Sequence, residues 1–349
     1  MDVELRQRGR AAMDFLVDLA LATRPLGARW NAELAGAGLT ADALPDDLDA
    51  RHAAIDTALG GSRAFAVAGL VGGFASVEHG KVAVAAFEET ADRLEPALAA
   101  LEARGPARLT VPAGFRPPAW WDGVWFHRTT GGWDGHPQMG FIHGELIHRH
   151  YVARTFGGDI FAQRRAVLAE LPRQDYARIC EFGTSSGHYT VALQQTFPGA
   201  AISGVDCSVP MLRQALRVAN ANGWAWDLHQ ASAEATPFAD ASFDLVTSYI
   251  ILHEMPAEAI RRMFAEAYRL LEPGGQMLMA DVTPYRAMDK LGQWRADWLA
   301  RHGGEPWWRE SATMDQPAAA REAGFVDVRQ RGLDGKPYPY VLVATRPHG

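Results

Sequence analysis

Cysteine is nearly absent from this chain of 349 residues, which holds only Cys180 and Cys207. Two cysteines make no disulfide framework, and their spacing fits no zinc motif. Such a chain is expected in a reducing, cytoplasmic compartment. Lysine is scarce, no Lys/Arg block stands out, and the formal net charge is -7. A duplex-binding protein carries a basic face that neutralises phosphates, so no nucleic-acid partner is expected, and Arg164-Arg165 reads as a solvated helix face. Long apolar runs are missing as well. The longest, Ala64 to Val77, falls short of the roughly 20 residues that span a bilayer. The first stretch, MDVELRQRGRAAMDFLVDLALA, is interrupted by Asp14 and Asp18, unlike a secretory signal. No membrane partner is expected either. What is present is ordinary for a globular protein: 48% apolar and 21% charged residues, enough to exclude disorder, and a length that accommodates two domains.

The first part, residues 1–150, reads as a mainly helical region. Ala11 to Ala22 places Met13, Phe15, Leu16, Leu19 and Ala20 at helical spacing, with Pro25 and Gly27 behind them as a stop. Asp56 to Val77 and Val82 to Ala103 read as two further helical stretches, the first weakened by Gly60-Gly61 and Gly72-Gly73. Their apolar content calls for packing on each other, on the second half, or on a second copy in a homodimer. Gly105 to Gln138 is rich in Pro, Gly and Trp and reads as loops. Its Trp120, Trp121, Trp125 and Trp133 call for burial. From Gln174 onward, short apolar runs alternate with helical ones: ARICEF, AISGVD, WDLHQA, FDLVTSYI and QMLMADV as strands, with helices between most of them. That alternation specifies an α/β, Rossmann-like, mostly parallel sheet. The last two strand-like runs, FVDVRQRG and PYVLVATR, have no helix between them and read as an antiparallel hairpin on the sheet edge.

The chemistry is carried by ICEFGTSSG, residues 179 to 187. A strand ends in an acid, a loop of small residues follows, and a helix opens. Small residues let the backbone approach a ligand, and the helix start offers free N–H groups. The dinucleotide pattern G-x-G-x-x-G fails here, because Ser185 and His188 stand where glycines belong. The S-adenosylmethionine loop, [D/E]-x-G-x-G-x-G, is met by Glu181, Gly183 and Gly187, with Ser185 in the middle place. Asp206 closes the next strand about 20 residues on, where an acid accepts ribose hydroxyls. Cys207 and Met211 follow it and offer apolar surface to an adenine.

With AEATPF-x-x-x-SFDLV, LHEMP and LLEPGG downstream, residues 174–347 resemble class I S-adenosylmethionine-dependent methyltransferases, in particular the ubiquinone/menaquinone-biosynthesis (methyltransferase type 11/25) group. The resemblance implies a seven-stranded sheet whose last strand is antiparallel, with residues 151–349 as the cofactor-binding domain and residues 1–150 as a substrate cover or dimerisation region. It implies that Glu181 anchors the loop and the methionine amino group, Asp206 the ribose, Ser232 and Ala233 the adenine edge, and Ser248 the methionine moiety. Family members often carry Asp where Ser232 stands; Glu234 is the available substitute.

Methyl transfer from a sulfonium relies on holding nucleophile and methyl in line. A base is needed only where the nucleophile loses a proton. His253, after the fourth strand of the family sheet, is the candidate base, with His148 and Tyr285 as further candidates at the acceptor. His136, His143, Glu145, His148 and His150 match no zinc spacing, so no metal is expected; on an α-helix His143 and His150 share a face. Trp294, Trp298, Trp307 and Trp308 read as an acceptor lid or as helix core. The acceptor is expected to be a small molecule. The rival readings are a nicotinamide-dependent oxidoreductase, the same fold using the sulfonium for other chemistry, and a non-catalytic scaffold.

Overall fold

Every short apolar run after residue 174 becomes a strand of one sheet in the computed structural model, which describes residues 4–156 and 159–348. The strands are β1 (Arg108–Thr110), β2 (Arg178–Phe182), β3 (Ala201–Asp206), β4 (Asp227–Gln230), β5 (Phe243–Tyr249), β6 (Leu271–Asp281), β7 (Val326–Gly332) and β8 (Tyr340–Thr345). Their spatial order is β1-β4-β3-β2-β5-β6-β8-β7. β8 runs antiparallel to both β6 and β7, as the terminal hairpin required. The other pairings are parallel. The chain order reverses between β2 and β5, so a crevice opens beyond the carboxyl ends of these two strands, where α/β sheets bind ligands.

The sheet has eight strands rather than the expected seven. The extra one, β1, comes from the segment that reads as loops, and it pairs Arg108 with Asp227 at the β4 edge. Three residues are too few to show a period of two.

Alternation along the central strands feeds two cores. Ile179, Ile202, Leu245 and Leu278 face the helices His188–Thr196 and Val209–Asn222. Cys180, Phe182, Val246 and Met277 face the helix Ala257–Leu270. β5 is buried along its whole length, as a central parallel strand must be. Helix boundaries follow local chemistry: Ser208 accepts from Met211 N–H at the start of Val209–Asn222, and Gly223 ends it in the left-handed conformation.

The helical half comprises α1 (Gln7–Ala22), α2 (Arg24–Gly36), α3 (Leu48–Leu59), α4 (Arg63–Glu88) and α5 (Ala91–Glu102). Pro25 starts α2 instead of ending the helical region, because proline suits the first turn of a helix. The stretch Asp56 to Val77 breaks at Gly60-Gly61, whereas Gly72-Gly73 are absorbed inside α4. Val82 to Ala103 is divided between α4 and α5. A continuous helical segment, Met139–Thr155, crosses residue 150, so the two halves are joined by helix and not by a linker. Leu34, Ile55 and Leu59 pack with Trp294 of the later helix Lys290–Gly303. Met13, Phe87, Phe126 and Phe141 share a core with Met211. The helical half therefore closes over the carboxyl edge of the sheet. No single helix among the described residues is long and apolar enough to cross a membrane.

Candidate functional site

β2 delivers Glu181, and the chain then turns through a loop that small residues permit. Gly183 has φ 72°, Ser185 φ 50° and Gly187 φ 85°. A Cβ on Gly183 would lie 2.6 Å from Ile251 Cδ1, and one on Gly187 3.1 Å from the backbone of Ala215. Ser185 takes the left-handed conformation with a side chain, at a cost of roughly 1–2 kcal/mol. The loop is tied to β3: Gly183 and Thr184 N–H donate to Val205 O at 2.9 and 3.0 Å, and Ser185 N–H donates to Asp206 Oδ2 at 2.8 Å. Asp206 Oδ1 accepts from Ser208 N–H at 2.9 Å.

Glu181 is buried and Asp206 half-buried. Burial pushes the Glu181 carboxyl up to about 8; the Thr190 hydroxyl, 2.6 Å from Oε2, opposes this, Asp206 adds to it and Arg164 opposes it. Burial likewise pushes Asp206 up to about 6 in spite of its two backbone donors. Two acids held this far above their ordinary range mark a wall built to meet cationic or hydroxylic ligand groups.

That wall belongs to a cavity of about 1070 Å³, larger than the usual range for one small ligand. Glu181, Gly183, Ser185, Asp206, Cys207, Met211, Ser232 and Ala233 line it. Three expectations are corrected. Gly187 lies behind the loop, where it caps the helix His188–Thr196. Ser248 points into the sheet core and donates to Met279 Sδ at 2.9 Å; Tyr249, Ile250 and Ile251 line the cavity in its place. Glu234 is bound to Trp120 Nε1 at 2.7 Å and to Arg262, outside the lining.

Of the proposed catalytic residues, His253 and His148 line the cavity and Tyr285 does not. Tyr285 is buried in the helical interface, with its hydroxyl donating to Asp297 at 3.1 Å. His253 is buried, and its Nδ1 meets Asp281 Oδ1 at 2.9 Å. Burial pulls its pKa down, but Asp281, with Glu305 and Glu254 beyond, leaves it raised. His127, which sequence reasoning passed over, stands beside it. Its Nε2 is 3.0 Å from Glu254 Oε1, and its Nδ1 contacts Glu305. Trp133 Nε1 donates to Glu254 Oε2 at 3.2 Å.

The histidine segment forms a π-helix, Ile142–Val152. Its i→i+5 pitch pairs His143 with His148, ring centroids 4.6 Å apart, instead of the α-helical pair His143 and His150. His188 continues the row at 5.3 Å from His148. Burial lowers all three, His143 to about 3 and the others well below 6.5, so they are neutral imidazoles. His143 Nδ1, His148 Nδ1 and both nitrogens of His188 have no partner among the described residues. All three rings line the cavity. His136 is held by Glu88 and lies outside it. Among the tryptophans, Trp120, Trp121, Trp133 and Trp308 reach the cavity. Trp294 is core, Trp298 stacks on His302 at 4.2 Å, and Trp125 is exposed.

Residues 179–275 match the family described as methyltransferase domain. This part of the chain is similar to a methyltransferase domain. Over 37% of the chain it is 35% identical to the demethylmenaquinone methyltransferase of Thermus thermophilus, of which 58% is covered. Over 40% of the chain it is 31% identical to the malonyl-[acyl-carrier protein] O-methyltransferase of Enterobacter lignolyticus, of which 51% is covered. The chain thus spans about half the length of the curated relatives it matches. A solved structure of a candidate O-methyltransferase from Nostoc punctiforme shares the fold, with a TM-score of 0.50 at 16% identity over 77% of this chain and 72% of that one. The matched residues contain the loop, Glu181 and Asp206, but not the π-helix, His127 or Glu305.

Proposed function

We propose that this protein is an S-adenosylmethionine-dependent methyltransferase acting on a small-molecule acceptor. The observation that carries this reading is the placing of Glu181 and Asp206 on one wall of a cavity large enough for two ligands. Glu181 would hold the methionine ammonium and Asp206 the ribose hydroxyls. Cys207 and Met211 would flank the adenine, whose edge meets the backbone of Ser232 and Ala233. The fit is supported by Gly183, where a Cβ would collide with Ile251 of the cavity lining, and by the raised Glu181 carboxyl, which a bound cation would re-ionise. When bound, the cofactor supplies an electrophilic methyl group on a sulfonium leaving group.

The remaining lining does the rest. Trp121, Trp133 and Trp308 give the acceptor apolar faces, and His143, His148 and His188 offer neutral imidazole nitrogens to its polar groups. This combination favours a planar acceptor carrying oxygen or nitrogen. Holding it in line with the methyl is the main contribution to rate. The cytoplasm is the proposed location, since Cys180 and Cys207 are both free thiols.

The test is calorimetric titration of wild type and Asp206→Ala with S-adenosylmethionine and with S-adenosylhomocysteine. Losing a hydrogen bond to a charged group costs about 1.5–3 kcal/mol, so both affinities should fall roughly 10- to 100-fold in the variant. Absence of binding to wild type would overturn the reading.

A further inference from the structure

We propose that the acceptor end of the cavity is a divalent-metal site, with His127, His253 and Glu254 as ligands and Glu305 and Asp281 as the carboxylates that orient the two histidines.

The donor atoms of His127, His253 and Glu254 lie within 4.8 Å of one another. Metal–nitrogen and metal–oxygen bonds near 2.0–2.2 Å place neighbouring ligand atoms about 3–4 Å apart, so the spacing needs little adjustment. The orientation of the rings is the stronger argument. His253 Nδ1 is bound to Asp281, which also accepts from the N–H groups of Leu252 and Val282 at 2.7 Å each. His127 Nδ1 is bound to Glu305. Each imidazole therefore directs its other nitrogen, Nε2, away from the carboxylate that holds its Nδ1, and His127 Nε2 already faces Glu254 Oε1 at 3.0 Å. Metal-bound histidines carry this same carboxylate on the distal nitrogen, and here the arrangement occurs twice. Trp133 holds the other oxygen of Glu254.

Charge points the same way. Three carboxylates, Asp281, Glu254 and Glu305, face two imidazoles, of which His253 is buried and His127 partly exposed. The Glu305 side chain is only 6% exposed, and its Oε2 has no partner among the described residues. A buried carboxylate oxygen left in that state asks for a cation. Two nitrogens and one or two carboxylate oxygens suit zinc, manganese, iron(II) or cobalt(II). Three protein ligands also leave a coordination position open for a heteroatom of the acceptor. That last role rests on the methyl-transfer reading; the metal site itself does not. The ligands come from two separate parts of the chain, residues 127 and 253–254, and the orienting carboxylates from two more, 281 and 305, so no spacing motif announces them.

The full-length protein, stripped with a chelator, is titrated with Zn²⁺ by calorimetry and with Co²⁺ by visible absorption. S-adenosylhomocysteine binding is measured on the same samples. Wild type should take up one equivalent and show cobalt ligand-field bands. His127→Ala, His253→Ala and Glu254→Gln should each weaken metal binding about tenfold or more, and Glu305→Gln by a similar factor through His127. All four should keep the wild-type affinity for S-adenosylhomocysteine, which shows that they fold. The proposal is overturned if wild type binds S-adenosylhomocysteine but takes up no metal, as it would if the cluster served an organic ammonium group instead. It is equally overturned if metal uptake is unchanged in all the variants. Stoichiometric metal uptake without S-adenosylhomocysteine binding would sink the cofactor reading and leave the metal site standing.

Discussion

The N–H of Ser185 donates to Asp206 Oδ2 at 2.8 Å, and this bond fastens the loop after β2 to the end of β3. It depends on Ser185 holding φ at 50°, a conformation glycine takes without strain. The side chain contributes only a 3.8 Å contact from Oγ to Met211 Sδ. Ser185→Gly therefore relieves about 1–2 kcal/mol of backbone strain and gives back about 0.5–1 kcal/mol in unfolded-chain entropy. The expected outcome is a slightly higher melting temperature with cofactor affinity kept. A clear loss of stability would show that the Ser185 hydroxyl matters more than the backbone.

Cofactor affinity should rise with pH. The apo protein holds a proton on Glu181 up to about pH 8, because burial outweighs Thr190 and Arg164 while Asp206 adds repulsion. A cationic ammonium binds the ionised carboxylate, so binding below pH 8 releases a proton and affinity climbs between about pH 6 and 8. The same shift makes the apo protein less stable as pH rises from about 4.5 to about 8, since the folded state keeps a proton that the unfolded chain has lost. Calorimetry in two buffers of different ionisation enthalpy measures the released proton. Glu181→Gln should abolish the release; a release of equal size in that variant would place the titrating group elsewhere.

The row of neutral imidazoles sets up a trade between stability and use. An unpartnered buried nitrogen costs about 1–3 kcal/mol, and His148 Nδ1 is one. His148→Leu removes it without adding bulk. The variant should melt higher than wild type, bind S-adenosylhomocysteine equally well, and turn over acceptor less efficiently. A lower melting temperature would mean that His148 is satisfied within the fold.

The legible part of this protein is the part whose signals are local. Glu181, the small-residue loop and Asp206 lie within 26 consecutive residues, and each sits at a strand end whose position periodicity gives. Ser248 was carried over from the family resemblance, and its strand is buried on both faces, so no polar alternation tells which side a residue takes. His143 and His150 were paired on α-helical pitch, and the π-helix moved the pairing to His148. Pro25 carries the same letter whether it stops one helix or starts the next. His127 and Glu305 gave no signal, because only the fold brings them to His253.

Asp297 is the linchpin between the helical half and the segment after β6. Its side chain is fully buried. It accepts from His52 Nε2 at 2.7 Å, from Arg309 Nε at 2.6 Å and Nη2 at 2.5 Å, and from Tyr285, with Arg301 2.9 Å away. His52 belongs to α3, and Arg309 to the helix Trp308–Thr313 that sets Trp308 beside His253. Removing one partner of a buried ion pair strands the others, at about 3–5 kcal/mol. Asp297→Asn should therefore lower stability by that amount in denaturant unfolding, whereas Tyr285→Phe, which deletes only one of the donors, should cost about 1 kcal/mol and leave turnover intact. If Tyr285→Phe abolished turnover at unchanged stability, Tyr285 would return to the catalytic set and the cavity would have to reach it.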